Sequence, residues 1–444
     1  MFKRKIYNQL LDWKNTYNGQ YAVLVEGARR VGKSTVVEEF AKKEYKSYIM
    51  IDFSKAGVEI KNIFNNISDL DLFFLRLQAE SNVELYERNS VIIFDEVQLF
   101  PLARQAIKHL VADGKYDYIE TGSLISIKKN VKNILLPSEE IKINMYPMDY
   151  EEFLWASNNP NYRIIKELVE SNKPIGEDIN RKLMSDFRIY MAVGGMPQAV
   201  KAYVDKKSFQ QIDLVKREII DLYMDDFRKI DSTGRVGKIF ESIPSQLALN
   251  KKRFFISKAT NSRQRIKDEE RLSDLIDSKT VNICYNSKNP SISLFQSRSE
   301  DEYKLYLLDT GLFVTLLFNS EEKTHEDIYK KLLSNSLPEN LGFLYENVVA
   351  QMISSTNKKL YYHFWPKEKN GYYEIDFILT SKTKIIPIEV KSSRVKPHNS
   401  LDKFKQKYSK YIYEEWIVSQ HDIANDNEIR LWPIYCLPIL LENL

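Results

Sequence analysis

Residues 27–34 read GARRVGKS, a glycine, four intervening residues and then Gly-Lys-Ser, which is the spacing of a loop that wraps phosphate. Gly27 and Gly32 let backbone N–H groups turn toward an anion, and a helix starting at Lys33 aims the positive end of its dipole at the same point. Lys33 is placed for the β and γ phosphates and the Ser34 hydroxyl for Mg²⁺, with Arg30 and Thr35 among the expected nucleotide contacts. A second stretch, VIIFDE at 91–96, ends an apolar run in two carboxylates. Asp95 is expected to hold Mg²⁺ through its water shell, and Glu96 to polarise the attacking water as a general base. A third run ends in ETGS, so Thr121 or Ser123 can bring a hydroxyl to the γ-phosphate or the water; Gly122–Ser123 suits a plain turn equally well. The NKxD that reads guanine is absent, which favours ATP as the nucleotide.

The C-terminal third holds another set of acids and lysines. If EIDFIL and IIPIEVK pair antiparallel around SKTK, with Asp376 opposite Glu389 and Glu374 opposite Lys391, these four share one face. Ile375, Phe377, Leu379, Ile386, Ile388 and Val390 then form an apolar underside, and only registers of this parity keep that underside continuous. Two carboxylates beside a lysine suit metal-assisted phosphodiester hydrolysis; a salt-bridge ladder on an exposed face uses the same residues. Lys251, Lys252, Arg253, Lys258, Arg263, Arg265 and Lys267, with Phe254 and Phe255 among them, could form a phosphate-contacting surface or a solvated charge run.

These groups need elements to hold them. YAVLVE, SYIMIDF, VIIFDE and YDYIETG alternate with amphipathic stretches, so the fold class expected of residues 1–147 is α/β, a parallel sheet with helices on both faces. Residues 148–230 lose strand signals and read as a helical lid; 231–333 read as a helix-plus-hairpin module and 334–444 as helix followed by strands. The chain has 444 residues, 43% hydrophobic and 28% charged, too apolar for disorder. Its formal net charge of +4 comes from 65 basic and 61 acidic side chains, so any nucleic-acid surface must be local. Cys284 and Cys436 form no CxxC, which excludes a sequence-local zinc site and fits a cytoplasmic setting. No secretory h-region and no run of about 18 apolar residues occurs, so no membrane role is expected.

Taken in order, GARRVGKST, VIIFDEVQ, ETGSL, MYPMDYEEFL, YMAVGGMPQAV, YMDDFRKI, YKLYLLDTGL and EIDFIL with IPIEVKSS resemble the prokaryotic AAA-type ATPases that carry a C-terminal domain of unknown function with a nuclease-like core. The resemblance covers nearly the whole chain. It implies an ATPase core, a helical lid, a winged-helix-like module and a PD-(D/E)xK-like end, in which Glu346 is similar to the extra acidic residue beside Asp376, Glu389 and Lys391. Such a core either cleaves DNA under ATP control or serves as a silent platform in a signalling or scaffold protein. Where relatives tend to carry a Gly-Arg pair, residues 125–144 have lysines and no arginine, so Arg188, Arg228 and Arg235 all stay open as arginine fingers, and a homo-oligomer or a protein partner stays open with them. Gly194 and Gly195 before Pro197 suit either a bend beside the nucleotide or an inter-helix turn.

Overall fold

The computed structural model describes residues 1–122, 137–249, 251–260, 265–319, 324–336, 342–392, 398–426 and 428–444. The chain forms two compact units: Met1–Tyr146 with Asp277–Lys279, and Pro147–Ile276 with Thr280–Leu444.

In the first unit, strands β1 (Ala22–Glu26), β2 (Ser47–Asp52), β3 (Ser90–Asp95), β4 (Asp117–Gly122) and β5 (Glu140–Asn144) form one sheet in the order β2-β3-β4-β1-β5. Every neighbouring pair is parallel. All residues of β1, β3 and β4 are buried; β1 and β3 are the near-continuous apolar strands expected where both faces are covered, whereas β4 buries Asp117, Glu120 and Thr121 as well. Ile49, Ile51, Phe73, Leu77, Ile92, Phe94, Ile107 and Leu110 share one core in which the helices Leu70–Ser81 and Pro101–Asp113 pack on the sheet. Strand β5 was not expected from the sequence. Its EIKIN alternates charge with isoleucine, and the covered carboxylate of Glu140 meets Arg104 in a two-pronged ion pair, at 2.8 Å from Nη2 to Oε1. The strand order decides the chemistry: β4 lies between β1 and β3, so the loop after β1, Asp95 at the end of β3 and Thr121 in β4 meet at one sheet edge.

In the second unit, residues 150–230 are five helices, from Tyr150–Ala156 to Phe209–Ile230. Two sheets follow. β6 (Val281–Ser287) and β7 (Arg298–Leu307) pair antiparallel, and β6 also pairs with β8 (Leu360–Pro366), which pairs with β9 (Tyr372–Ile375), giving the order β7-β6-β8-β9. The hairpin expected within a module ending at 333 therefore belongs to a sheet that residues 360–375 complete. The second sheet runs β10 (Phe377–Ser381), β11 (Lys384–Lys391), β12 (Glu415–Ser419), β14 (Ile429–Pro433) and β13 (Ala424–Asp426).

The β10–β11 register has the predicted parity, with Phe377 opposite Ile388 and Ser381 opposite Lys384. One expectation about this hairpin is corrected, and one alternative falls. The ladder stops at Phe377, because at Asp376 the chain passes into β9, where Glu374 faces Phe364 instead of Lys391. The acidic face is not exposed either, since Ile378 and Ile385 are as buried as Phe377 and Ile386, and Glu389 is buried with them. Among the described residues no helix is long and apolar enough to cross a membrane.

Candidate functional site

The loop after β1 has the build of an anion cradle. Met145 N–H donates to Glu26 O at 2.7 Å, and a Cβ on Gly27 would stand 2.3 Å from the Met145 carbonyl oxygen, so only glycine lets the chain leave the sheet here. Arg30, which is exposed, and half-buried Gly32 both take left-handed backbone, at φ +69° and +99°. Gly32 begins the helix Lys33–Glu44, whose first turn carries no acid and whose N-terminus no described side chain caps; its leading N–H groups thus suit an anion, a fit to nucleotide phosphate. Thr35 is exposed on that helix. Arg4, which sequence reasoning missed, holds the loop from outside by donating to Val31 O at 2.9 Å and Tyr146 O at 2.7 Å. Nothing in MFKRK marks that one arginine as structural.

Lys33 is buried and donates to its own loop, to Gly27 O at 3.0 Å and Ala28 O at 2.9 Å. Burial lowers its pKa to about 8, against the opposing pull of Glu96 and Asp95. Ser34 Oγ donates to Asp95 Oδ1 at 2.7 Å, and the Thr121 hydroxyl donates to the same oxygen. Thr121 in turn accepts the Glu96 N–H at 3.3 Å. A hydroxyl and a carboxylate side by side are the hard oxygen donors Mg²⁺ takes, so Ser34 and Asp95 fit that ion. Glu96 sits in left-handed backbone at φ +54°, a conformation costly for a residue with a Cβ, and Gln98 donates to its carboxylate. Gln98 also escaped sequence reasoning, although it lies within the VIIFDEVQ run. Ser123 lies outside the described residues.

The second set of acids and lysines comes together differently. Glu346, on the helix Gly342–Ser355, accepts from Tyr306 Oη at 2.9 Å and lies 3.3 Å from Lys304 Nζ. Lys304 reaches Glu374 Oε1 at 2.5 Å, and Lys252 pairs with the other oxygen of Glu374. Asp376 Oδ2 accepts the Val390 N–H at 2.8 Å, and Lys391 lies 2.5 Å from Glu389 Oε1. Burial raises the Asp376 carboxyl well above its usual range, helped by Glu346 and Glu374. Burial also pushes Glu374 up, but Lys304 and Lys252 outweigh it and leave the group below its usual value. Among the described residues no group of three or more His, Cys, Asp or Glu side chains is arranged to hold a metal ion. Asp376, Glu389 and Glu346 thus do not form the expected metal site; their partners are a backbone N–H, a lysine, and a lysine with a tyrosine. Lys304 and Tyr306, the residues that sequence reasoning missed, share one face of β7 by the alternation of YKLY.

The arginine-finger candidates have partners near at hand. Arg188 donates to Leu333 O at 2.9 Å and Gln420 Oε1 at 3.1 Å, and exposed Arg228 pairs with Asp225 at 3.0 Å. Arg235 opens a short helix whose leading N–H groups bond Asp231. Gly194 and Gly195 form the turn between the helices Glu177–Val193 and Pro197–Val204. Gly195 N–H donates to buried Asp309 at 2.6 Å, and a Cβ on Gly194 would meet the same carboxylate at 2.3 Å. In the basic segment Lys252 is spent on Glu374, while Lys251, Arg253 and Lys258 are exposed. Arg263 and the side chain of Arg265 lie outside the described residues, and Lys267 is exposed.

Three families match parts of the chain: an AAA domain over residues 19–154, and two domains of unknown function, DUF8612 over 184–323 and DUF4143 over 341–437. An uncharacterised protein of Haemophilus influenzae is 23% identical over 210 residues, which are 46% of this chain and 45% of that protein; the match thus spans about half of the relative. Among solved structures, a Walker-type ATPase of Pyrococcus abyssi is 16% identical and is covered over 71% of this chain and 96% of its own, with a TM-score of 0.42. A signal-transduction ATPase with a tetratricopeptide-repeat sensor from Pyrococcus horikoshii is 10% identical, over 80% of this chain and 48% of its own, with a TM-score of 0.28. The AAA-domain match at residues 19–154 takes in the five-stranded parallel sheet and the phosphate-loop spacing at 27–34 of the first unit.

Proposed function

We propose that this chain is a Mg²⁺-dependent ATPase whose nucleotide state controls a DNA-binding surface on its second unit. The observation that carries the ATPase reading is the meeting of Ser34 and Thr121 on one oxygen of Asp95, with Glu96 next in the chain. The backbone N–H groups around Gly32 bind the phosphates, and Lys33 exchanges its loop carbonyls for β and γ oxygens. Ser34 and Asp95 would hold Mg²⁺, which would offset charge on the phosphate oxygens. Thr121 fixes Asp95 and the Glu96 backbone together. Glu96 takes the proton of the attacking water, and Gln98 sets the direction of its carboxylate.

The DNA-binding half rests on the exposed cations at 251–258. Arg253 and Lys258 lie 5.0 and 5.1 Å from the Phe255 ring, a pairing of charge and aromatic surface that suits phosphate and base together. The alternative is a nucleotide-dependent signalling or scaffold protein with a catalytically silent second unit; the lysine pairing of Glu346, Glu374 and Glu389 favours it over a DNA-cleaving one. ATP turnover with and without single- and double-stranded DNA tests the link. DNA should raise turnover severalfold, and Lys251→Ala with Lys258→Ala should remove the rise. Turnover indifferent to both DNAs sinks the link and turns the search to protein partners.

A further inference from the structure

We infer that Lys304 is the resident cation of the acidic cluster in the second unit, so that this cluster binds no divalent metal and works as a self-neutralised ion network. Its carboxylates are Glu346, Glu374, Asp376 and Glu389, brought from the helix Gly342–Ser355, from β9, from the break between β9 and β10, and from β11. Its ammonium groups are Lys252, Lys304 and Lys391, in contact with Glu374, with both Glu346 and Glu374, and with Glu389. Three glutamates therefore meet three lysines, and the remaining acid, Asp376, takes a backbone N–H from Val390.

Lys304 holds the centre. It is 5% exposed, bridges carboxylates from two elements at 2.5 and 3.3 Å, and lies 5.4 Å from the centre of the Tyr362 ring. A divalent ion needs several oxygens converging on one point, and here a primary ammonium already sits between two of the glutamates. Displacing it would leave a buried ammonium without its partners, a cost that any ion entering the cluster must first offset. The sequence expectation of a lysine that assists a metal assigned that role to Lys391, whose ammonium instead closes on Glu389. Lys304, outside that pattern, stands where cationic charge would be wanted.

The test uses the full chain carrying Asp95→Asn, which removes the carboxylate placed for metal in the nucleotide site and makes the outcome independent of the ATPase reading. Mn²⁺ is added up to millimolar concentration, bound ion is counted by electron paramagnetic resonance, and thermal unfolding is recorded alongside. The parent should bind no ion at the cluster, so adding Asp376→Asn should leave the Mn²⁺ titration unchanged. Lys304→Met should lower the unfolding midpoint by about 5 °C or more, take up one Mn²⁺ per chain and recover part of the loss as it does. Binding of one Mn²⁺ per parent chain that Asp376→Asn abolishes would overturn the inference, and so would a Lys304→Met protein that folds but gains no Mn²⁺. If Lys304→Met does not fold, the parent and Asp376→Asn titrations decide alone.

Discussion

Two clusters of acids and lysines stand in this chain, and they differ in what their charges are bonded to. In the first unit, among the described residues, Lys33 donates to two carbonyls of its own loop, next to a helix N-terminus that no described side chain caps. In the second, Lys304 and Lys391 already hold glutamates at 2.5 Å. A cation resting on neutral acceptors gains by moving to a phosphate, whereas one locked to carboxylates must first break a buried ion pair. Residue types alone make both clusters look reactive, and pairing separates them.

The largest effect that would break this contrast is in the nucleotide site. Lys33→Ala should reduce ATP binding at least about 100-fold, measured by calorimetry with Mg²⁺ present. Unchanged affinity would remove the distinction between the clusters. Next is the ion pair that closes the edge of the first sheet. Arg104 and Glu140 are each 3% exposed, and Glu120 is buried nearby with its pKa raised well above normal by burial and by Glu140. Arg104→Met leaves Glu140 buried without its partner, so denaturant unfolding should show a loss of about 3–5 kcal/mol. A loss below about 1 kcal/mol would mean that water reaches this edge.

The smallest effect sharpens the picture of the second unit. His363 is buried, with its Nδ1 2.7 Å from Ser287 O and its ring stacked on Trp365 at 5.0 Å. Burial lowers its pKa from 6.5 to about 4. Above pH 6.5 the ring is neutral folded or unfolded; as pH falls from 6.5 toward 4 only the unfolded chain gains the proton, so stability drops, by about 3 kcal/mol in all. His363→Gln should flatten stability against pH in that window, and a slope unaltered by the change would place the proton elsewhere.

Much of the nucleotide site was legible because it depends on local spacing: the loop, the strand before it and the acids at the end of β3 each lie within one short run. The β10–β11 register was legible for a similar reason, since a two-residue period leaves few parities that bury one face. What escaped depends on distant partners. Glu140 reads as exposed unless Arg104, 36 residues earlier, is known to meet it. The break at Asp376 arises because Glu374 pairs across to Phe364, and Lys304 carries no signal of meeting Glu346, 42 residues on. A buried charge is visible in a sequence only when its partner is close in the chain, and here those partners come from other elements.

The central claim, that Glu96 is the base of an ATP-hydrolysing site, is tested most directly by Glu96→Gln in the full chain, with Mg·ATP binding and steady-state turnover measured on the same preparation. Binding within about twofold of the parent, with turnover reduced about 100- to 10,000-fold, is the expected result. A Glu96→Gln protein that hydrolyses ATP at the parent rate would contradict the account.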